Sequence, residues 1–285
     1  MPLALVTGAS TGIGRATALR LAAGGWTVLA GVREQAAGER LAAEASAPER
    51  VIPLTLDVTD AAQRAAAVER VSEQARSNGS SGGGLDALVN NAGTAVGGPL
   101  ELISEEDLRA QFEVNVFAQV AITRALLPAL RGAHGRIVFV SSIGGRVSPP
   151  FAAPYAASKH AIEAIGDALR VELRTSRVSV ALVEPGSVAT PIWDKALDEA
   201  DSFALPGELQ QFYGEVPAAM RKTIEQTAKR GVPPEKVAAT IERALTASRM
   251  RSRYLVGADA RMQLLLRRVL PDTAFDALIR RVLGV

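Results

Sequence analysis

Tyr155 and Lys159 stand four apart in Pro154-Tyr-Ala-Ala-Ser-Lys-His. Residues i and i+4 of a helix share a face, and Pro154 suits a first helical turn. The ammonium would then lie beside the phenol. A free tyrosine titrates near pH ~10, and a neighbouring cation together with the positive end of the helix favours its phenolate. Such a phenol can serve as an acid/base near neutrality. Alone the pair is a weak signal, because chance places such pairs on helix surfaces. Ser142 adds weight. It follows an apolar strand pattern, Ile137–Ser141, and so belongs at the sheet edge where open α/β folds bind ligands.

A second constellation lies near the start of the chain. An apolar strand pattern runs into Thr7-Gly8-Ala9-Ser10-Thr11-Gly12-Ile13-Gly14, and a helical pattern follows. Strand, glycine turn and helix together aim backbone N–H groups and a helix N-terminus at a pyrophosphate. Gly8 permits the tight turn, Gly12 lets phosphate oxygens approach the backbone, and Gly14 lets the helix pack on the sheet. The spacing is G-x-x-x-G-x-G. A plain glycine turn is the alternative, and the flanking strand and helix argue against it. Discrimination at the ribose 2′ position is expected about 20 residues on, at the end of the second strand. The sequence there is Ala30-Gly31-Val32-Arg33-Glu34. Arg33 pairs well with a phosphate, which favours NADP(H) and leaves NAD(H) as the alternative. Glu34 is the opposing sign, since a one-residue slip would put an acid at that point. An oxidised nicotinamide in this cleft would further favour the Tyr155 phenolate.

These groups need a frame. Apolar runs at Leu3–Val6, Thr27–Val32, Val51–Thr55, Leu85–Val89, Arg136–Val140, Val178–Val183 and Tyr254–Val256 suit strands buried on both faces of a parallel sheet. Between them lie segments with helical spacing: Ile13–Ala23, Glu34–Ala45, Ala61–Arg76, Ser104–Leu130 and Pro154–Arg174. The alternation predicts one α/β domain over residues 1–285, a doubly wound Rossmann fold with about seven parallel strands. Ser77–Gly84 is a polar, glycine-rich surface loop. Residues 190–235, with five prolines, break the alternation and are expected to form a substrate lid. Trp193 and Phe203 within it would touch an apolar substrate or anchor the lid. Residues 257–285 form a C-terminal helical extension.

Composition narrows the function classes. The 285 residues are 48% hydrophobic and 22% charged, with no cysteine and two histidines. Disulfide scaffolds, thiolate chemistry and iron–sulfur clusters are excluded, and two isolated histidines give no metal-ligand spacing. A net charge of +2 is too small to imply nucleic acid. The charge is uneven: residues 249–285 hold eight Arg against three Asp. Paired arginines in Arg261–Leu270 and Phe275–Leu283 face away from apolar residues at helical spacing. Such helices can lie on an anionic membrane, although packing on their own domain or on a second subunit is the commoner use. No signal-peptide pattern and no long apolar span is read, so the expectation is a soluble cytoplasmic protein.

Taken jointly, these motifs resemble the short-chain dehydrogenase/reductase family. The matching pieces are the glycine loop, Asp57-Val58, Asn90-Asn91-Ala92-Gly93, Asn115, Ser141-Ser142, Tyr155-x-x-x-Lys159 and Pro185-Gly186-x-x-x-Thr190, in the family's order. The thirteen-residue interval from Ser142 to Tyr155 also suits the family, and it favours Ser142 over its rival Ser141. The resemblance implies that Tyr155 moves the proton and Ser142 orients the substrate oxygen. Lys159 would bind the nicotinamide ribose and lower the tyrosine pKa, and Asn115 would hold a water linking Lys159 to solvent. Asp57 and Val58 would meet the adenine, and Asn90, Ala92 and Gly93 would shape the floor. Val188 and Thr190, in the loop opened by Pro185 and Gly186, would contact the carboxamide. Taken without the other motifs, Asn115 reads as a satisfied helix polar group and Asn90-Asn91 as a turn.

Tyr155–Leu173 and the extended C-terminal part are similar to the retinol- and hydroxysteroid-dehydrogenase-like branch. The expected function is NADP(H)-dependent interconversion of a carbonyl and an alcohol on a small lipophilic substrate. A 3-ketoacyl-type reductase is the nearest alternative. A non-catalytic dinucleotide sensor is the alternative of another class, and it would be expected to have lost part of the Ser–Tyr–Lys–Asn set. The family also implies a homodimer or homotetramer through Ser104–Leu130 and Pro154–Arg174.

Overall fold

The computed structural model describes residues 1–77, 84–191 and 205–283. Most of the Ser77–Gly84 loop, the first part of the expected lid, and both Trp193 and Phe203 lie outside the described residues.

Seven parallel strands form one sheet in the order β3-β2-β1-β4-β5-β6-β7. They are β1 (Leu3–Thr7), β2 (Thr27–Val32), β3 (Val51–Thr55), β4 (Ala87–Asn90), β5 (Arg136–Val140), β6 (Ser179–Pro185) and β7 (Arg253–Val256). Each overlaps an apolar run seen in the sequence. The runs are continuous because helices cover both faces, and successive side chains feed opposite cores. Along β1, Ala4 and Val6 join one cluster, while Leu3 and Leu5 join the other.

On the first face, α1 (Gly12–Ala23) packs with the Pro234–Thr246 helix and with α2 (Gln35–Glu44). On the second lie α3 (Ala61–Ser77), α5 (Ala118–Ala133) and α6 (Ala153–Glu172). The chain leaves β1 toward β2 and β3, then crosses back to β4. That reversal opens a crevice between the carboxyl ends of β1 and β4, where open α/β sheets hold ligands.

Ser104–Leu130, expected as one helix, is interrupted. Ser104 caps α4 (Glu105–Phe112), its hydroxyl accepting from the Asp107 N–H at 3.0 Å. A π-helical turn then spans Glu113–Phe117 before α5 begins. Such widened turns concentrate at functional sites, and this one contains Asn115.

The Pro234–Thr246 helix falls outside the helical segments expected from the sequence. Its buried residues Val237, Ala238, Ile241, Ala244 and Leu245 keep helical spacing, behind the breaking signal of Pro233-Pro234. The C-terminal pair, Ala258–Val269 and Asp272–Leu283, packs on its own domain. Ala260 and Phe275 meet Ile143 and Val147, while Met262, Leu265, Val269 and Val282 remain outside. Among the described residues no helix is long and apolar enough to cross a membrane.

Candidate active site

The glycine loop is shaped by what surrounds it. Gly8 and Gly12 have φ of +64° and +55°, a region glycine tolerates best. A Cβ on Gly14 would stand 2.2 Å from the Gly8 carbonyl oxygen, so this glycine lets α1 start directly over the turn. Thr11 occupies the N-cap position of α1 but forms no side-chain cap. The first N–H groups of α1 therefore remain available to an anion. Ser10 and Ile13 are partly exposed beside them.

Thr7 is fully buried and acts as a stitch. Its hydroxyl donates to the Val89 carbonyl and accepts from the N–H groups of Asn91 and Ala92, both at 3.0 Å. The Asn91 amide donates to the carbonyls of Thr7 and Gly8 at 2.9 and 3.0 Å. Sequence reasoning passed over Asn91 in favour of Asn90. The two are neighbours, and only the pleat distinguishes them. Asn90 faces inward and donates to Thr123 Oγ1 at 2.8 Å, so its side chain does not line the crevice. Val58 and Val188 are likewise turned into the core, and each can offer a ligand only its backbone.

At the end of β2 the register is resolved. Val32 pairs with Thr55 as the last strand residue, Arg33 follows exposed, and Glu34 occupies the N-cap position of α2 without a side-chain cap. Two hydrogen bonds from Thr59 hold the Asp57 carboxyl below its usual range, with help from the charges of Arg33 and Arg64. On the far side of the crevice, Thr190 Cγ2 would be 3.1 Å from a Cβ on Gly12. The loop after β6 thus reaches the glycine turn. Asp259 pins that loop: its carboxylate accepts from the Ser187 N–H at 2.7 Å and fills the space that a Cβ on Gly186 would need. Pro185 is buried at the strand end. Asp259 was not legible beforehand, because nothing local in the sequence ties it to residues 72 positions away.

The catalytic-type residues converge beyond β5. The Ser142 hydroxyl accepts from the Gly144 N–H at 3.0 Å and hydrogen-bonds the Tyr155 phenol. A Cβ on Gly144 would touch the Tyr155 ring at 3.2 Å and Ser142 Oγ at 3.4 Å. Lys159 Nζ lies 5.8 Å from the Tyr155 ring centre and donates to the Val140 carbonyl at 2.9 Å. Gly93 borders both Lys159 Nζ and Asn115 Oδ1, at 3.8 and 3.3 Å from a Cβ built on it.

Two features go beyond the expectations. The Asn115 side chain is held by three hydrogen bonds. It accepts from the Thr94 N–H at 2.9 Å, and it donates to the Thr94 carbonyl at 2.9 Å and to Ser158 Oγ at 3.0 Å. Its amide thus fixes the wall beside Lys159. Ser158, which donates to the Tyr155 carbonyl at 2.7 Å, links that wall to the first turn of α6. Electrostatics at Tyr155 also differ. Burial pushes the phenol above its ordinary value, and the Ser142 hydrogen bond opposes this only in part. Burial also lowers Lys159 to about 8, against the pull of Glu163. The nearby cation alone does not overcome desolvation.

Comparison with known proteins agrees with this geometry. A family model described as short chain dehydrogenase matches residues 2–201. The chain belongs to the short-chain dehydrogenase/reductase family. It is 36% identical over 281 residues to an NADPH-dependent 3-dehydrocapnine reductase of Ornithobacterium rhinotracheale, covering 97% of this chain and 95% of that protein. It is also 36% identical over 282 residues to human retinol dehydrogenase 16, covering 96% and 86%. A Burkholderia phymatum short-chain dehydrogenase/reductase solved with NAD superimposes with a TM-score of 0.74 at 28% identity, covering 94% and 92%. The chain is therefore a short-chain oxidoreductase of the carbonyl/alcohol type that uses NAD(P), with retinol dehydrogenases among its relatives. Its open α1 N-terminus, its glycine turn and the crevice between β1 and β4 fit such a dinucleotide.

Proposed function

We propose that this short-chain oxidoreductase works with NADP(H) on a lipophilic carbonyl or alcohol, with Tyr155 as the acid/base. The observation that carries the reading is the meeting of Ser142, Tyr155 and Lys159 at the same carboxyl edge of the sheet that carries the uncapped N-terminus of α1. A bound nicotinamide dinucleotide supplies or accepts the hydride. Ser142 orients the substrate oxygen, and Tyr155 donates its proton to a carbonyl or takes one from an alcohol. Burial keeps the phenol protonated in the resting site. Lys159 can leave the Val140 carbonyl for the nicotinamide ribose, where its charge would favour the phenolate after proton transfer.

Preference for NADP(H) rests on Arg33. It is exposed directly after the last residue of β2, no acid ends that strand, and a bidentate guanidinium matches a 2′-phosphate. The NADPH dependence named for the 3-dehydrocapnine reductase supports the same choice. The lipophilic substrate rests on the described part of the lid. Tyr213 bonds Glu101 at 2.9 Å, and Met220 lies over Gly97, whose neighbour Gly98 is bonded to Phe151. An exposed apolar groove with Leu100, Leu108, Phe117 and Pro154 offers the face for a homo-oligomer.

A spectrophotometric screen of ketones and alcohols, run with NADPH/NADP+ and NADH/NAD+ in parallel, tests the reading. We expect turnover of apolar ketones, faster with NADPH. Turnover confined to small polar substrates with NADH would overturn it.

A further inference from the structure

Lys159 is not the last buried charge on α6. One turn later, on the same face, Glu163 is only 5% exposed. Its Oε2 accepts from Arg253 Nε at 3.0 Å. Arg253, on β7, also meets Glu184 of β6 at 3.0 Å and Asp167 of α6 at 2.6 Å. Glu184, 1% exposed, is further paired with Arg146 at 3.1 Å. Glu163 thus faces Lys159 and Asp167 on its own helix, Glu184 on β6, Arg253 on β7 and the Ser141 hydroxyl after β5. Arg146 stands behind Glu184.

Gly145 brings this cluster together. A Cβ there would lie 2.9 Å from both Glu163 Cγ and Ser141 Oγ, and 3.0 Å from the Lys159 carbonyl. Glu163 Oε1 and Ser141 Oγ are both buried, yet neither completes a hydrogen bond among the described residues. A buried acceptor left so is costly.

Building on the catalytic reading above, we propose that Glu163 is a positioning residue that acts through Lys159. As a carboxylate it holds the Lys159 ammonium in the buried site, and when it takes up a proton that hold is released. The groups titrate where such coupling matters. Burial raises Glu163 to about 7, against the Ser141 and Arg253 interactions, and Lys159 is lowered to about 8. Between these values the site holds carboxylate and ammonium together. Removing the carboxylate leaves the ammonium facing Arg253 without its counter-charge, so Lys159 must lose its proton at lower pH.

The sequence has five lysines, so lysine-selective 13C labelling of the cofactor-free protein can follow Lys159 by NMR, assigned with Lys159→Arg. Glu163→Gln is expected to move the Lys159 titration down by about one pH unit, the low end for the loss of a nearby opposite charge. Glu163→Asp restores most of it. Ser141→Ala gives a smaller shift in the same direction, because loss of the hydroxyl lets Glu163 stay protonated to higher pH. A Glu163→Gln titration that overlays the parent overturns the proposal. If Glu163→Gln does not fold, a Ser141→Ala titration unchanged from the parent overturns it instead. In turnover, Glu163→Gln should move the alkaline limb of kcat/KM down with the same sign, and a uniform fall in kcat with no displacement counts against the proposal. The NMR result needs no substrate. A lysine shift without any carbonyl turnover would thus reject the catalytic reading while leaving the coupling in place.

Discussion

At the residue scale, the proposed chemistry turns on one phenol and the groups that hold it. Tyr155 keeps its Ser142 hydrogen bond and sits in a pocket that resists its ionisation. Tyr155→Phe is expected to cut turnover by roughly 10²–10⁴-fold, the usual worth of a positioned acid/base. Cofactor affinity, followed by nicotinamide fluorescence, should stay within a few-fold, and a variant with near-parent rates would remove Tyr155 from its role. Arg33 is a separate test. A charge-assisted contact is worth about 1.5–3 kcal/mol, so Arg33→Ala should weaken NADPH binding by roughly 10–100-fold. NADH binding should change little, and equal losses for both cofactors would show that Arg33 does not read the 2′-phosphate. The types and spacings of these residues were legible because they are local: four positions on one helix, or one strand end. Whether a side chain faces the crevice was less so. Asn90 and Asn91 read alike in sequence, and only the strand's alternation sends one to Thr123 and the other to the glycine turn.

At the element scale, the site is held by contacts between distant parts of the chain. The strands could be read in advance because two-sided burial demands unbroken apolar runs. The π turn at Asn115 could not, since widening a helix by one residue leaves its apolar spacing almost unchanged. The Pro234–Thr246 helix was hidden by its own prolines, which stop one segment and yet start the next. Asp259 shows the same limit. It sits in the first turn of the Ala258–Val269 helix and closes the loop after β6 through Ser187. Asp259→Ala should free that loop and raise the cofactor dissociation constant roughly tenfold, the scale of one lost charge-assisted hydrogen bond. Far-ultraviolet circular dichroism should remain that of the parent. Asp259→Asn, which keeps an acceptor for the Ser187 N–H, should lie between the two.

At the scale of the whole molecule, the buried charges bear on how stability depends on pH. Glu163 titrates at about 7 in the folded chain and near its ordinary value of 4.5 when unfolded. Between those values the unfolded chain binds fewer protons, so the stability contributed by the protonated carboxyl is lost as pH rises from 4.5 through 7. Lys159 acts in a higher window: its folded value of about 8 lies below 10.5, so stability returns as pH rises from 8 toward 10.5. Glu163→Gln removes the first effect. Its urea midpoint relative to the parent should climb between pH 4.5 and 7, and a difference that stays flat across that window would contradict the assignment. The fold also joins parts of the chain far apart in sequence. Arg20 of α1 meets Glu242 at 2.6 Å, and Ala18 and Leu21 share a core with Val237 and Ile241. The helix that presents its N-terminus to the crevice is therefore backed by residues that leave the ribosome more than two hundred positions later. A nascent chain carries its glycine turn early, but it cannot close that half of the molecule until residues 234–246 have been made, and polypeptides truncated before residue 234 should emerge as clients for chaperones and proteases.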